Sequence, residues 1–195
     1  VVALLNMGHG AAQHARLLFE GLGSELMVAE LSHEGLAGGL TEPDLTGVSD
    51  LVKAAAPVVV AATRVRLKGR QVDAMVIGSR EELARVLQLR PGEGRLLSQY
   101  DGRALHVLVG NQLAAQLGAR SGDRLQMGQY VFDVIGVMAR TGDNPLLPVM
   151  LDQAVLMPLS GIRRLVPAPE VGLVLARGRD SQSLALAAEH LGAHL

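Results

Sequence analysis

Two hydrophobic periods alternate along this chain, and each switch between them marks an element boundary. In residues 8–22, GHGAAQHARLLFEGL, Ala11, Ala15, Leu18 and Leu22 share a face and Gly23 follows as a stop, which predicts a helix. Residues 25–31 predict a strand and 32–40 a Gly-rich loop. Pro43 and Asp44 suit a first helical turn, and Leu45, Val48, Val52 and Ala55 share a face, so a helix is expected over 43–55, closed by Pro57. The β-rich runs 58–67 and 71–77 flank Lys68-Gly69-Arg70 and predict a hairpin. Residues 80–103 are mixed, with Pro91, Gly92, Gly94 and Gly102 marking turns.

The second half repeats the alternation. A strand over 104–109 precedes a helix capped by Asn111 and stopped by Gly118. Residues 124–127 and 130–138 form a second hairpin around Gly128-Gln129. Residues 140–152 read as a loop, 154–157 as a strand, 161–165 as a helical turn and 171–176 as a strand. Asp180 or Ser181 caps a last helix with Leu184, Ala188, Leu191 and Leu195 on one face. This order of elements is α+β.

Composition narrows what such a fold can do. A net charge of −1, from 18 basic and 19 acidic residues, leaves no long-range field to draw in nucleic acid or an anionic membrane. Aromatics make up 2% of the chain (Phe19, Tyr100, Tyr130 and Phe132), so a stacking platform for single strands is missing and the core must be aliphatic. The lack of cysteine excludes disulfides, thiolate chemistry and sulfur-ligated zinc. Val1 to Leu5 fall far short of the roughly 20 apolar residues that span a bilayer. They read either as a buried strand or as the end of a membrane helix.

No chemistry-bearing motif stands out. There is no P-loop and no nucleophile elbow, and Gly8-His9-Gly10 is too short for a dinucleotide fingerprint. His190 and His194 have helical ligand spacing without the acid of a zinc motif, and a solvated helix end explains them better. His9 and His14 do not align on a helix. Asp143 and Asp152 flank the 140–152 loop, where acids serve solubility more often than catalysis. No catalytic, cofactor-binding or metal-binding residue is expected.

Several short stretches, taken in order, resemble one family. They are Leu22-Gly23-Ser24-Glu25-Leu26, Gly94-Arg95-Leu96-Leu97 with Asp101, and Val107-Leu108-Val109-Gly110-Asn111 with Leu113-Ala114 and Leu117-Gly118. Gly122-Asp123-Arg124-Leu125, Phe132-Asp133-Val134-Ile135-Gly136-Val137 and Ala154-Val155-Leu156-Met157-Pro158-Leu159-Ser160 follow. Together they resemble the periplasmic core domain of MacB-type (MacB/FtsX-like) ABC transporter permeases. Gly136 inside an apolar strand calls for a bulge or a close backbone approach, and Gly122-Asp123 suits a turn into a hairpin. The short segment 32–42 departs from the family, whose members carry a longer insertion there.

The resemblance implies two lobes. A porter-like βαβ lobe would comprise residues 1–82 and 151–195, with 1–7 the end of a membrane helix, and 83–150 would form a smaller inserted mixed lobe. It implies a non-catalytic periplasmic domain of an inner-membrane permease that relays ATP-driven motion during export or efflux. The implied partners are an ATP-binding subunit, a periplasmic adaptor and a second permease protomer. Permeases that release lipoproteins or export peptides would share the fold. The segment from Leu117 to Leu125 also resembles the turn of double-psi barrels, some of which are enzymes.

A partner site is expected in the loop TGDNPLLPVMLD, residues 141–152, at Asn144, Leu146, Leu147 and Met150. A loop that apolar either folds onto the core or is kept for a partner.

Overall fold

The computed structural model describes residues 17–19, 26–30, 45–142, 147–180 and 182–187. Strands dominate. They are β1 (Leu17–Phe19), β2 (Leu26–Glu30), β3 (Val52–Leu67), β4 (Arg70–Ser79), β5 (Pro91–Gly94), β6 (His106–Val109), β7 (Arg124–Met127), β8 (Tyr130–Met138), β9 (Ala154–Pro158) and β10 (Leu173–Gly178). The helices are short: α1 (Thr46–Leu51), α2 (Glu82–Val86), α3 (Asn111–Leu117), α4 (Leu159–Ile162) and a further helical segment over 182–187. The class is mixed α/β, weighted toward strands.

The strands follow the order β1-β2-β10-β3-β4-β9-β6-β8-β5, and β7 pairs with both β3 and β8. That double pairing closes β3-β4-β9-β6-β8-β7 into a six-stranded barrel. Two of its six pairs, β4 with β9 and β6 with β8, are parallel, and the other four are antiparallel. The barrel interior holds Val65, Leu67, Val76, Val107, Val109, Leu125, Met127, Phe132, Val134, Val155 and Met157, and Leu113 and Leu117 of α3 and Ile162 of α4 join this cluster. Side chains alternate across each strand, so neighbours such as Leu108 and Leu156 point out of the barrel into a second cluster under α2.

β3 is 16 residues long and extends beyond the barrel. Its first half pairs with β10, which pairs in turn with β2 and through it with β1, forming a four-stranded wing. One face of the wing carries Leu26, Val28, Ala54, Ala56 and Leu175 in the second cluster. The other carries Met27, Ala29, Val52, Ala55, Val174 and Ala176, covered by Val48 of α1 and by Leu184 and Ala187.

Two expected helices are corrected. Of the helix expected over 8–22, the described residues are 17–19, and they form a strand with Leu17 opposite Ala29. A three-residue apolar run has no period of its own, and the partner strand decides its form. The helix expected over 43–55 stops at Leu51, and Val52 begins β3. Apart from the exposed Lys53, residues 52–58 are buried on both faces of the wing, so helical periodicity there was coincidence. Pro57 therefore closes no helix. Its carbonyl takes the Ser79 hydroxyl at 2.7 Å on the β4 side, one residue past the β3–β4 ladder, where its missing N–H removes no ladder bond.

Other expectations hold with shifted ends. The two hairpins turn at Lys68-Gly69 and at Gly128-Gln129. α3 ends in Gly118 at φ 67, but its N-cap is Gly110, with Asn111 already inside the helix. Asp180 caps the 182–187 segment through a 2.7 Å bond from the Ser183 N–H. Ala188, Leu191, Leu195, residues 1–7 and His9, His14, His190 and His194 lie outside the described residues. Gly136 shows both features expected of it. The β6–β8 register slips between Val107 and Leu108, skipping Ile135, and a Cβ at Gly136 would stand 2.5 Å from the Arg95 carbonyl oxygen.

Candidate functional site

The Gly94-Arg95-Leu96-Leu97 stretch with Asp101 lies at the passage from β5 to β6. Strand β5 ends at Gly94, and Arg95 follows, its N–H bonded to the Ile135 carbonyl at 3.0 Å. The chain then makes a 3-10 turn, Gln99–Arg103, before entering β6. Asp101 inside that turn is 1% exposed. Arg95 donates to both of its oxygens at 2.7 Å. The Ser98 N–H and hydroxyl donate to Oδ2 at 2.7 and 2.8 Å, closing a capping box. His106 Nδ1 lies 2.6 Å from Oδ1, and because a carboxylate only accepts, Nδ1 carries the proton.

This knot ties the end of β5, the turn and the start of β6 to one carboxylate. The Arg95 guanidinium, helped by His106 and Ser98, holds the Asp101 carboxyl well below the usual carboxylate range against the opposing effect of burial. With five donors on two oxygens, Asp101 is a structural clasp and has no lone pair left for proton transfer. The same turn presents Tyr100 to solvent at 83% exposure and is tied to α4 by the Ser160 hydroxyl, which donates to the Gly102 carbonyl.

A second clasp holds the 141–152 loop. Asp152 is buried, and its Oδ1 takes the Thr141 N–H at 2.9 Å and the Thr141 hydroxyl at 2.8 Å. Gly110 is required beneath it, since a Cβ there would meet the Leu151 carbonyl and stand 2.5 Å from the Asp152 backbone. The Gly110 N–H bonds to the Ala154 carbonyl at 2.8 Å.

Within this loop Leu147, Val149 and Leu151 are buried in the second cluster, while Met150 is 50% exposed. Asn144 and Leu146, like Asp143, lie outside the described residues. Of the residues expected to meet a partner, Leu147 thus belongs to the core and Met150 faces solvent. No group of three His, Asp or Glu side chains among the described residues is placed to hold a metal. Sequence inspection missed the Asp101 knot. Its signal was present as Ser98-x-x-Asp101, a capping box, with Arg95 three residues earlier.

Solved structures share this architecture. The periplasmic region of MacB from Actinobacillus actinomycetemcomitans superposes with a TM-score of 0.65 at 15% identity, covering 87% of this chain and 81% of that one. The extracellular domain of the noncanonic ABC-type transporter YknZ from Gram-positive bacteria gives 0.63 at 18% identity, covering 81% and 84%. A domain of a permease protein from Porphyromonas gingivalis, itself assigned on a provisional basis, gives 0.58 at 16% identity, covering 86% and 75%. No curated protein sequence matches the chain. The fold is thus one used by extracytoplasmic domains of ABC transporter permeases. The sequence matches the family described as MacB-like periplasmic core domain over residues 1–194, and the chain belongs to that family. Among the described residues no helix is long and apolar enough to cross a membrane.

Proposed function

We propose that this domain stands on the periplasmic side of an inner-membrane ABC transporter permease and relays ATP-driven motion to the export path. It would act with an ATP-binding subunit and dock a periplasmic adaptor or a second protomer. The observation that carries the reading is the continuity of β3. One strand of 16 residues, about 50 Å long, serves as a stave of the barrel and as the backbone of the wing. A hydrogen-bonded sheet resists stretching, so displacement at the wing arrives at the barrel undiminished.

The two-lobe division remains part of this proposal. β10 pairs with β2 and β3, which supports a lobe built from both chain ends. The barrel draws β3, β4 and β9 from that lobe and β6, β7 and β8 from residues 83–150, so it would be the joint between them.

The test uses the intact permease reconstituted with its ATPase. Val58→Pro removes an N–H on the β10 side of β3, at the junction of wing and barrel. ATP hydrolysis should continue while export falls at least roughly tenfold. Full export from a folded Val58→Pro transporter would overturn the relay.

A further inference from the structure

The sheet has a gap in one of its columns. β10 pairs with one edge of β3 from Val52 to Val58, and β7 pairs with the same edge at Val65 and Arg66. Between them, Val59 to Arg64 have no partner strand on that edge among the described residues. The β3–β4 ladder runs through this stretch without a register shift, so backbone groups alternate strictly between the two edges. The Pro57 carbonyl faces β4, where it takes the Ser79 hydroxyl, and the Val58 carbonyl faces β10, where it takes the Gly172 N–H. By that alternation the N–H and C=O groups of Val60, Ala62 and Arg64 all point into the gap. Ala62 and Arg64 are exposed and Val60 is half-buried.

We propose that this seam accepts an extended polypeptide segment by strand addition between β10 and β7. Three residues of outward donors and acceptors in strand register form a ready template for pairing. The gap spans six residues, about 20 Å, which fits a segment of five or so residues. The walls define its side chains. On one face the segment would lie beside Ala61, with Leu165 and Val166 at the edge of the barrel cluster, and needs apolar residues. On the other it would lie beside Ala62, Arg64 and Arg66. Arg64 is paired with Asp73, but Arg66 donates to the neutral Gln71 amide at 3.0 Å and has no acidic partner among the described residues. Acidic residues suit that face. The occupant is therefore a protein segment in which apolar and acidic residues alternate.

The experiment adds the capped pentapeptide Val-Glu-Val-Glu-Val to the isotope-labelled 195-residue chain and follows amide exchange residue by residue. Saturating peptide should slow exchange at Val60, Ala62 and Arg64 by about tenfold or more, without a comparable change on the β4 side. The same peptide N-methylated at alternate residues cannot complete the ladder and should give no protection. Ala62→Pro removes the central outward donor while sparing the β3–β4 ladder, and should abolish binding at an unchanged melting temperature. Unprotected amides at millimolar peptide would overturn the proposal. So would equal protection by the N-methylated peptide, which would show side-chain adhesion without strand addition.

Discussion

Asp101 shows how one side chain can fix a whole corner of this molecule. Its carboxylate is buried, satisfied by five donors and shared among three segments, so removing its charge strands Arg95 and His106 together. Asp101→Asn should lower stability by about 2 kcal/mol, the cost of leaving donors to a buried acceptor unsatisfied beside a half-exposed Arg95, read as a urea midpoint shift at an unchanged m-value. The carboxyl is held below the usual range in the fold, chiefly by Arg95. A group depressed on folding contributes stability above its unfolded value, near ~3.9, and loses that contribution as pH falls toward its folded value. Melting temperature should therefore drop more steeply below about pH 4 in the parent chain than in Asp101→Asn. Parallel pH profiles would show that Asp101 is not the group responsible. Gly136 makes the complementary point through volume. Glu93 and Arg95 backbone oxygens stand 2.8 and 2.5 Å from where its Cβ would be, so Gly136→Ala should cost about 3 kcal/mol by thermal melting, near the top of the usual range for overpacking.

Among the elements, the 147–151 segment separates core from surface residue by residue. Leu147 is 9% exposed and belongs to the second cluster with Leu108, Met138 and Leu156, while Met150 is 50% exposed. Leu147→Ala should cost about 2–3 kcal/mol and Met150→Ala no more than about 0.5 kcal/mol in the same denaturation assay. If Met150 serves docking, its loss will show in partner binding alone. This split also marks how far the sequence could be read. The hairpins, α3 with Gly118 and the bulge at Gly136 were legible because each depends on local backbone chemistry at a few residues. Residues 54–58 misled because a run of small apolar residues buried on two faces carries no period. Although the Leu117 to Leu125 turn resembles that of double-psi barrels, the closure of the barrel was not legible. It rests on the pairing of Val65 with Met127 and Arg66 with Gln126, contacts some 60 residues apart that leave no trace in local pattern. The same holds for the fate of the 141–152 loop, where Leu147 and Met150 are equally apolar in sequence and differ only in what lies beneath them.

Across the whole molecule, the three apolar clusters share strands. β3 gives Val65 and Leu67 to the barrel cluster, Ala56 and Val58 to the second, and Val52 and Ala55 to the third. Burial in one cluster thus holds the strand that the others need, and the clusters should unfold together. This cooperativity is what a mechanical relay requires, because a wing that opens independently of the barrel absorbs displacement without passing it on. The two arrangements differ in native-state amide exchange. Phe132 lies fully buried in the barrel, edge-on to Tyr130 with ring centroids 6.5 Å apart. Phe132→Leu removes ring volume and that contact, and should cost about 1–2 kcal/mol. If barrel and wing form one cooperative unit, protection at Val109 in β6 and at Val174 and Ala176 in β10 falls by the same factor, about 5- to 30-fold for that loss. If protection falls at Val109 while the β10 amides are unchanged, the wing opens on its own. The sheet then cannot carry motion between them, and the relay would have to pass through the packing of α2 against the wing.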